Sequence, residues 1–186
     1  MRLFIAIPVP PDVSRALAAA QQQVKQVSAG GRYVSAENFH LTMHFIGESD
    51  DLAGAAAACE EAVRGLRPFL VRLERFGRFM RNGAYTATVL LAGDLQELRS
   101  LYETLTSALR ERGFSSTGGQ KRFAPHITLA RDVRTAEDAE DHYDTLRLET
   151  GAGSAFTANL LVLYESRNVG GRMVYTPLHK TRLFQD

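Results

Sequence analysis

Two tetrapeptides in this 186-residue chain carry the residues best suited to chemistry: His40-Leu41-Thr42-Met43 and His126-Ile127-Thr128-Leu129. Side chains alternate across a β-strand, so residues i and i+2 share a face. His40 and Thr42 therefore point one way, with Leu41, Met43 and Phe45 on the other side. His126 and Thr128 share a face in the same manner, against Ile127 and Leu129. Each strand offers one imidazole and one hydroxyl from a face backed by apolar residues. Histidine gives or takes a proton near neutral pH, because its unperturbed pKa is about 6.5. Two histidines on opposite sides of a phosphorus can divide an in-line displacement. One takes the proton of an attacking water, and the other protonates the departing sugar oxygen. Threonine hydroxyls can donate to the non-bridging oxygens, where charge accumulates. That inventory suits hydrolysis of a phosphodiester without a metal, since the sequence has no His/Asp/Glu cluster at ligand spacing. No cofactor is expected.

The tripeptide alone is weak evidence, because His179-Lys180-Thr181 is a third copy. The first two copies differ from it in context. Their intervening residues are apolar, they sit in strand patterns, and a helical segment follows each. His179 is read as a surface or structural residue. The strand alternation places His44 on the His40/Thr42 face, as a cleft residue or a solvated one. His142 belongs to a short polar segment and should be exposed. Arg131 closes the second motif strand and is a candidate phosphate contact, as are Lys121 and Arg122 on the loop before it. Phe4, Phe123 and Tyr175 could stack on a base, although aromatic residues at such positions more often build a core. Cys59 lies in an alanine-rich helical pattern and reads as a buried thiol.

The elements around these motifs form a weak repeat. Residues 2–7 read as a buried strand, ended by Pro8, Pro10 and Pro11, with Asp12 able to cap a helix. Val13, Leu17, Ala20, Val24 and Val27 form one apolar helix stripe, which Gly30 and Gly31 stop. A loop leads to the strand 40–46. Leu52, Ala56, Cys59, Val63 and Leu66 mark the next helix. A strand near 69–76 and a returning strand 84–92 flank Asn82-Gly83, a strong hairpin signal. Leu95, Leu98, Tyr102, Leu105 and Leu109 mark a third helix, which Gly113 ends. After the loop 115–122 comes the strand 126–130. Thr135 with Asp138 resembles a capping box, which predicts a short helix to about Leu146. The tail reads as β-rich: a strand over 156–164, a turn over 168–171, and short strands near 173–177 and 181–184. The two motif histidines are 86 residues apart at equivalent places in the repeat. Two such units would pack their sheets about a pseudo-twofold axis and bring the motif strands together.

Composition sets the outer limits. Apolar residues make up 45% and charged residues 23%, which suits a soluble globular domain with a sizeable core. No apolar run approaches the ~20 residues of a membrane helix, and the start does not read as a signal peptide. One cysteine excludes an internal disulfide, and a reducing cytoplasm is expected. The net charge of +1 is too small for a protein that coats long nucleic acid. A nucleic-acid substrate would be gripped at an end or over a few nucleotides.

The segments FHLTMHFIGE at 39–48 and FAPHITLAR at 123–131 resemble the two signature segments of the two-histidine (2H) phosphoesterase superfamily. RLFIAI at 2–7, ARDV after the second motif, and LYES at 163–166 with Gly171 and Tyr175 are similar to its RNA 2',3'-cyclic phosphodiesterase, or LigT-like, branch. The resemblance spans nearly the whole chain. It implies a bilobal α+β fold, with two pseudo-symmetric antiparallel sheets flanked by helices around a central cleft, so that residues 1–186 form a single domain of two lobes. It implies hydrolysis of an RNA 2',3'-cyclic phosphodiester to a 2'-phosphomonoester. By position His40 would be the proton donor and His126 the proton acceptor, with Thr42, Thr128 and Arg131 binding phosphate. The residues themselves do not assign which histidine has which role. The expected partner is an RNA end or short oligonucleotide carrying a 2',3'-cyclic phosphate; no membrane and no obligate protein partner are expected, and the protein is expected to be a monomer. Two alternatives stay open: turnover of a small cyclic phosphate or 2'-5' linkage, and a module that binds terminal phosphates without turnover.

Overall fold

Strand alternation at the two motifs demands neighbours on both sides, and the computed structural model supplies them in one continuous sheet. It describes residues 1–92, 95–114, 123–135, 142–149, 151 and 153–183. The strands are β1 (Arg2–Pro8), β2 (Gly30–Tyr33), β3 (His40–Glu48), β4 (Phe69–Arg81), β5 (Ala84–Ala92), β6 (His126–Arg134), β7 (Ala155–Ala158), β8 (Leu160–Val169) and β9 (Arg172–Arg182). Their order is β7-β4-β5-β6-β3-β1-β8-β9, with β2 added beside β6. Every pairing is antiparallel. The chain thus has the α+β architecture that the family resemblance implies. One half-sheet is β9-β8-β1-β3, the other β6-β5-β4-β7, and they join at a seam between β3 and β6 whose paired residues are Leu41 and Ile127.

Three helices cover one face: α1 (Pro11–Gln26), α2 (Leu52–Ala62) and α3 (Gln96–Glu111). The stripes of α1 and α3 fall close to where the periodicity placed them, whereas α2 turns Ala55, Ala58, Cys59 and Ala62 inward and leaves Leu52 and Ala56 half-buried. Val13, Leu17, Ala20 and Val24 of α1 are buried, as are Leu98, Leu101, Leu105 and Leu109 of α3. They join Ile5, Leu41, Val89, Ile127 and Leu163 of the strands in a single apolar cluster. Cys59 of α2 is fully buried there, and burial pushes its thiol up to about 12, which keeps it protonated and inert. The Asn82-Gly83 turn has positive φ at both residues, +50° and +74°, as a two-residue hairpin with the strands' own twist requires.

Several boundaries differ from the sequence reading, each for a pairing reason. Residues 30–33 form β2, because Gly30, Arg32 and Tyr33 pair with Arg134, Arg131 and Ala130 far along the chain. β4 runs on to Arg81 because Arg72–Arg81 pair with β5 up to the hairpin turn. The segment 156–164 is two strands, broken at Asn159, whose carbonyl accepts from Leu183 N–H. The two short terminal strands are one strand, β9, held by β8 throughout. Of the helix expected up to Leu146, the described part is a single 3₁₀ turn at His142–Thr145, and Asp138 of the capping box lies outside the described residues.

The largest correction lies in β3. Its register against β1 pairs Thr42 with Ala6 but His44 with Ile5, leaving Met43 as a bulge residue. A bulge inserts one residue and shifts the alternation beyond it. Met43 and His44 are therefore both buried, at 2% and 7% exposure, while Phe45 is 52% exposed. His44 does not share the His40/Thr42 face, and Phe45 does, opposite Phe4.

One buried polar residue, invisible to hydrophobic patterning, ties α1 to the sheet. The Gln21 amide donates from Nε2 to the carbonyls of Val34 at 2.7 Å and Leu129 at 2.8 Å. Leu129 is itself the extra residue where β6 slips against β5, and its carbonyl also accepts from Val34 N–H at 2.9 Å, so the acceptor that depends on Gln21 is the Val34 carbonyl. Leaving a buried acceptor unpaired costs about 1–3 kcal/mol. Gln21→Leu is therefore expected to lower the unfolding free energy in urea by about that amount. An unchanged denaturation midpoint would show that the Val34 carbonyl finds another donor.

Candidate active site

The seam decides where the motif side chains meet. With Leu41 opposite Ile127 in an antiparallel pair, one step along each strand sets His40 beside Thr128 and Thr42 beside His126. Directly opposite side chains in such a pair lie ~5 Å apart and diagonal ones ~7–8 Å. The two histidines occupy one diagonal of this square and the two threonines the other, all on the face away from Leu41 and Ile127. All four are half-buried.

Each imidazole is held in the same way. His40 Nδ1 lies 2.7 Å from the carbonyl of Asn38, and His126 Nδ1 lies 2.8 Å from the carbonyl of Ala124. A carbonyl only accepts, so Nδ1 carries the proton in both rings and Nε2 is left for chemistry. The carbonyl comes from residue i−2 in both halves. Asn38 is in turn fixed from outside its own segment: it is buried, and its Nδ2 donates to the Met173 carbonyl of β9 at 2.7 Å. The hydroxyls of Thr42 and Thr128 make no hydrogen bond among the described residues, whereas Thr88, on the same face two strands from the seam, spends its hydroxyl on the Gly77 carbonyl.

Aromatic rings back both histidines. Phe4 packs on His40 with ring centroids 5.0 Å apart, and Tyr175 meets it edge-on at 5.3 Å. Tyr164 stacks on Phe4 from the far side. Phe79 of β4 meets His126 edge-on at 4.9 Å. Burial raises the Tyr164 phenol above its ordinary value, so it stays a neutral hydroxyl.

Burial also dominates the electrostatics of the pair. It lowers His40 to about 4, against the pull of the Asn38 carbonyl, and the charge of Arg131 and the proximity of His126 push the same way. His126 is lowered by burial first and by Arg131 second. Arg131 is exposed, yet it acts on both rings, which places its cation beside the square. The free site is therefore two neutral imidazoles next to a guanidinium. An anion entering between them would favour the protonated forms. The arrangement can accept a proton at one Nε2, deliver one from the other, and offer hydroxyl and guanidinium donors to an anion's oxygens.

Other candidates fall elsewhere. His44 faces the core, and burial lowers its pKa. His142 is exposed. His179 sits 3.2 Å from Glu60 at the surface. Phe123 stacks on Tyr102 at 4.1 Å and is thereby engaged away from the square. Phe4 is 3% exposed and serves as backing. Lys121 and Arg122 lie outside the described residues. Among the described residues no three His, Cys, Asp or Glu side chains converge. Sequence reasoning missed Asn38, Tyr164 and Phe79. Asn38 carried a faint signal in its place two residues before His40, and Phe79 carried none.

A sheet that presents two His-x-Thr strands side by side defines a class, and the chain belongs to the 2'-5' RNA ligase superfamily, whose family model matches residues 9–169. It is 34% identical to an RNA 2',3'-cyclic phosphodiesterase of Thermotoga maritima, over 70% of each chain. It is 30% identical to the protein of the same description from Escherichia coli, over 99% of this chain and 97% of that one. Its fold is similar to the crystal structure of E. coli LigT complexed with 3'-AMP, with a TM-score of 0.76 and 28% identity over 99% and 98% of the two chains.

The lowered pKa values give a solution test. Between pH 6.5 and about 4 the unfolded chain protonates His40 while the folded protein does not. The unfolded state then binds more protons, so stability falls as pH drops through that window. By NMR, the His40 ring should titrate well below 6.5 in the free protein and move upward when inorganic phosphate is added. A midpoint at or above 6.5 without added anion would contradict the burial argument.

Proposed function

We propose that this protein hydrolyses the 2',3'-cyclic phosphodiester at RNA 3' ends to a 2'-phosphomonoester, by paired histidine acid–base catalysis without a metal. The observation that carries the proposal is the matched pair of imidazoles. Each has Nδ1 tied to a carbonyl two residues upstream, and each stands beside the other strand's threonine. The relatives' shared description as RNA 2',3'-cyclic phosphodiesterases narrows the phosphodiester to this one.

In this reading His126 Nε2 takes a proton from water as the oxygen attacks phosphorus. His40 Nε2, protonated once the anionic substrate is bound, delivers its proton to the 3' oxygen as the P–O3' bond breaks. The ester to O2' survives, so the product carries a 2'-phosphate and a free 3'-hydroxyl. Thr42, Thr128 and Arg131 donate to the non-bridging oxygens, where they stabilise the charge that grows in the transition state. The low pKa of free His40 is compatible with an acid role, because the substrate's own negative charge raises it on binding. Residues 1–186 act as one domain of two repeated lobes, each contributing one His-x-Thr-x strand. We place this activity in the cytoplasm, in a monomer, since both motifs and Arg131 come from one chain.

The deciding assay uses an oligonucleotide ending in a 2',3'-cyclic phosphate, with EDTA present. Activity should persist in EDTA, give only the 2'-phosphate isomer, and follow a bell-shaped pH profile. His40→Ala and His126→Ala should each lower kcat by about 10²–10⁴-fold. A phosphodiester with a p-nitrophenolate leaving group separates the roles, because that group needs no proton to depart. His40→Ala should recover much of its rate on it, and His126→Ala should not. Turnover that survives both single substitutions, or that EDTA abolishes, would refute the mechanism.

A further inference from the structure

We infer that the exposed edge of β4 is a binding track for the RNA chain leading to the cyclic end, so that the protein acts on oligonucleotides in preference to mononucleotides. The inference rests on the phosphodiesterase reading above for the identity of the ligand.

The sheet register places a set of β4 side chains on the same face as the motif residues. His126 pairs with Leu90 of β5, and Leu90 pairs with Arg75 of β4. Thr128 pairs with Thr88, and Thr88 with Gly77. Continuing along β4, Phe79 pairs with Thr86 and Arg81 with Ala84. Paired residues share a face, so Arg75, Phe79 and Arg81 belong to the face of His126 and Thr128. At ~4.8 Å per strand, Arg75 lies two strands, or ~10 Å, across from His126. From Arg75 to Arg81 the strand covers ~20 Å, longer than one nucleotide needs.

Three features suit this row to an RNA backbone. Arg75 and Arg81 are exposed and form no ion pair among the described residues. Arg78, on the other face, is instead committed to Asp144 and to the rings of Tyr85 and Tyr143. Beyond Leu73, whose N–H donates to the Ser154 carbonyl, no strand among the described residues pairs with the outer side of β4. Phe79 lies between the arginines, 42% exposed, with its ring already against His126. Cations that track a backbone with an aromatic ring among them are how single-stranded nucleic acid is held without base readout. Continuity with the site fixes direction: a strand whose last phosphate sits between His40 and His126 passes Phe79 and runs along β4. The overall charge of +1 does not oppose this, because the row is local.

The test compares two substrates with the same reacting end, an RNA octamer carrying a 2',3'-cyclic phosphate and 2',3'-cyclic AMP. Arg75→Ala/Arg81→Ala should lower kcat/KM for the octamer about tenfold or more at low salt while leaving the cyclic mononucleotide within twofold. The log–log salt dependence of octamer binding should become shallower by about 1.4, since each single-strand phosphate contact contributes about 0.7. Binding is read separately by fluorescence anisotropy with an octamer ending in a plain 3'-phosphate, which needs no turnover. If wild type turns over neither substrate, the phosphodiesterase reading fails, and the anisotropy still decides the track. Equal losses on both substrates, or an unchanged octamer affinity and salt slope in the double variant, would overturn it.

Discussion

The chemistry of this protein hangs on one backbone pairing, Leu41 opposite Ile127, where two half-sheets become one. Neither motif strand alone offers the open face more than one imidazole and one hydroxyl. Antiparallel pairing about that point converts two copies of a short pattern into a square with like residues on the diagonals. The apolar residues between the motif positions, Leu41 and Ile127, are both completely buried under the helices. The same contact that drives the halves together hydrophobically therefore sets the separation of the reactive groups. A slip of one residue would turn every motif side chain toward the core.

Departures from regular pairing matter as much as the regular ladder. The bulge at Met43 ends the open-face pattern of β3 after Thr42, so that His44 goes to the core and Phe45 comes out. The irregularity at Leu129 ends the motif pattern of β6 in the corresponding place, and Gln21 reaches across from α1 to use the carbonyl it leaves. Each motif is thus a short stretch of true alternation, cut off by a bulge before a third side chain can crowd the site.

Desolvation then sets the resting state. The aromatic backing that fixes the His40 ring, Phe4 with Tyr164 behind it and Tyr175 beside it, is also what strips water from it and lowers its pKa. Rigidity and a neutral resting imidazole have one cause. The guanidinium of Arg131 adds to the bias, so that arriving negative charge favours uptake of a proton at the site.

From sequence alone, periodicity located the helices, the main strands and the two motifs, because apolar repeats at 3.6 and 2.0 residues report burial directly. It also set two of the three His-x-Thr copies apart from the third through their apolar context, and those two are the ones the sheet brings side by side. It placed Cys59 in the core and the hairpin at Asn82-Gly83. It could not place His44, because a bulge depends on the register of the partner strand and leaves no mark on the alternating residues themselves. β2, the full length of β9, the clamp from Met173 through Asn38 to His40, and the nearness of Phe79 to His126 are long-range pairings, decided by which strands become neighbours. Residue types and spacing determined what chemistry the chain can do. Tertiary structure decided which groups face one another and how dry they are, since distance and desolvation exist only once remote strands are joined.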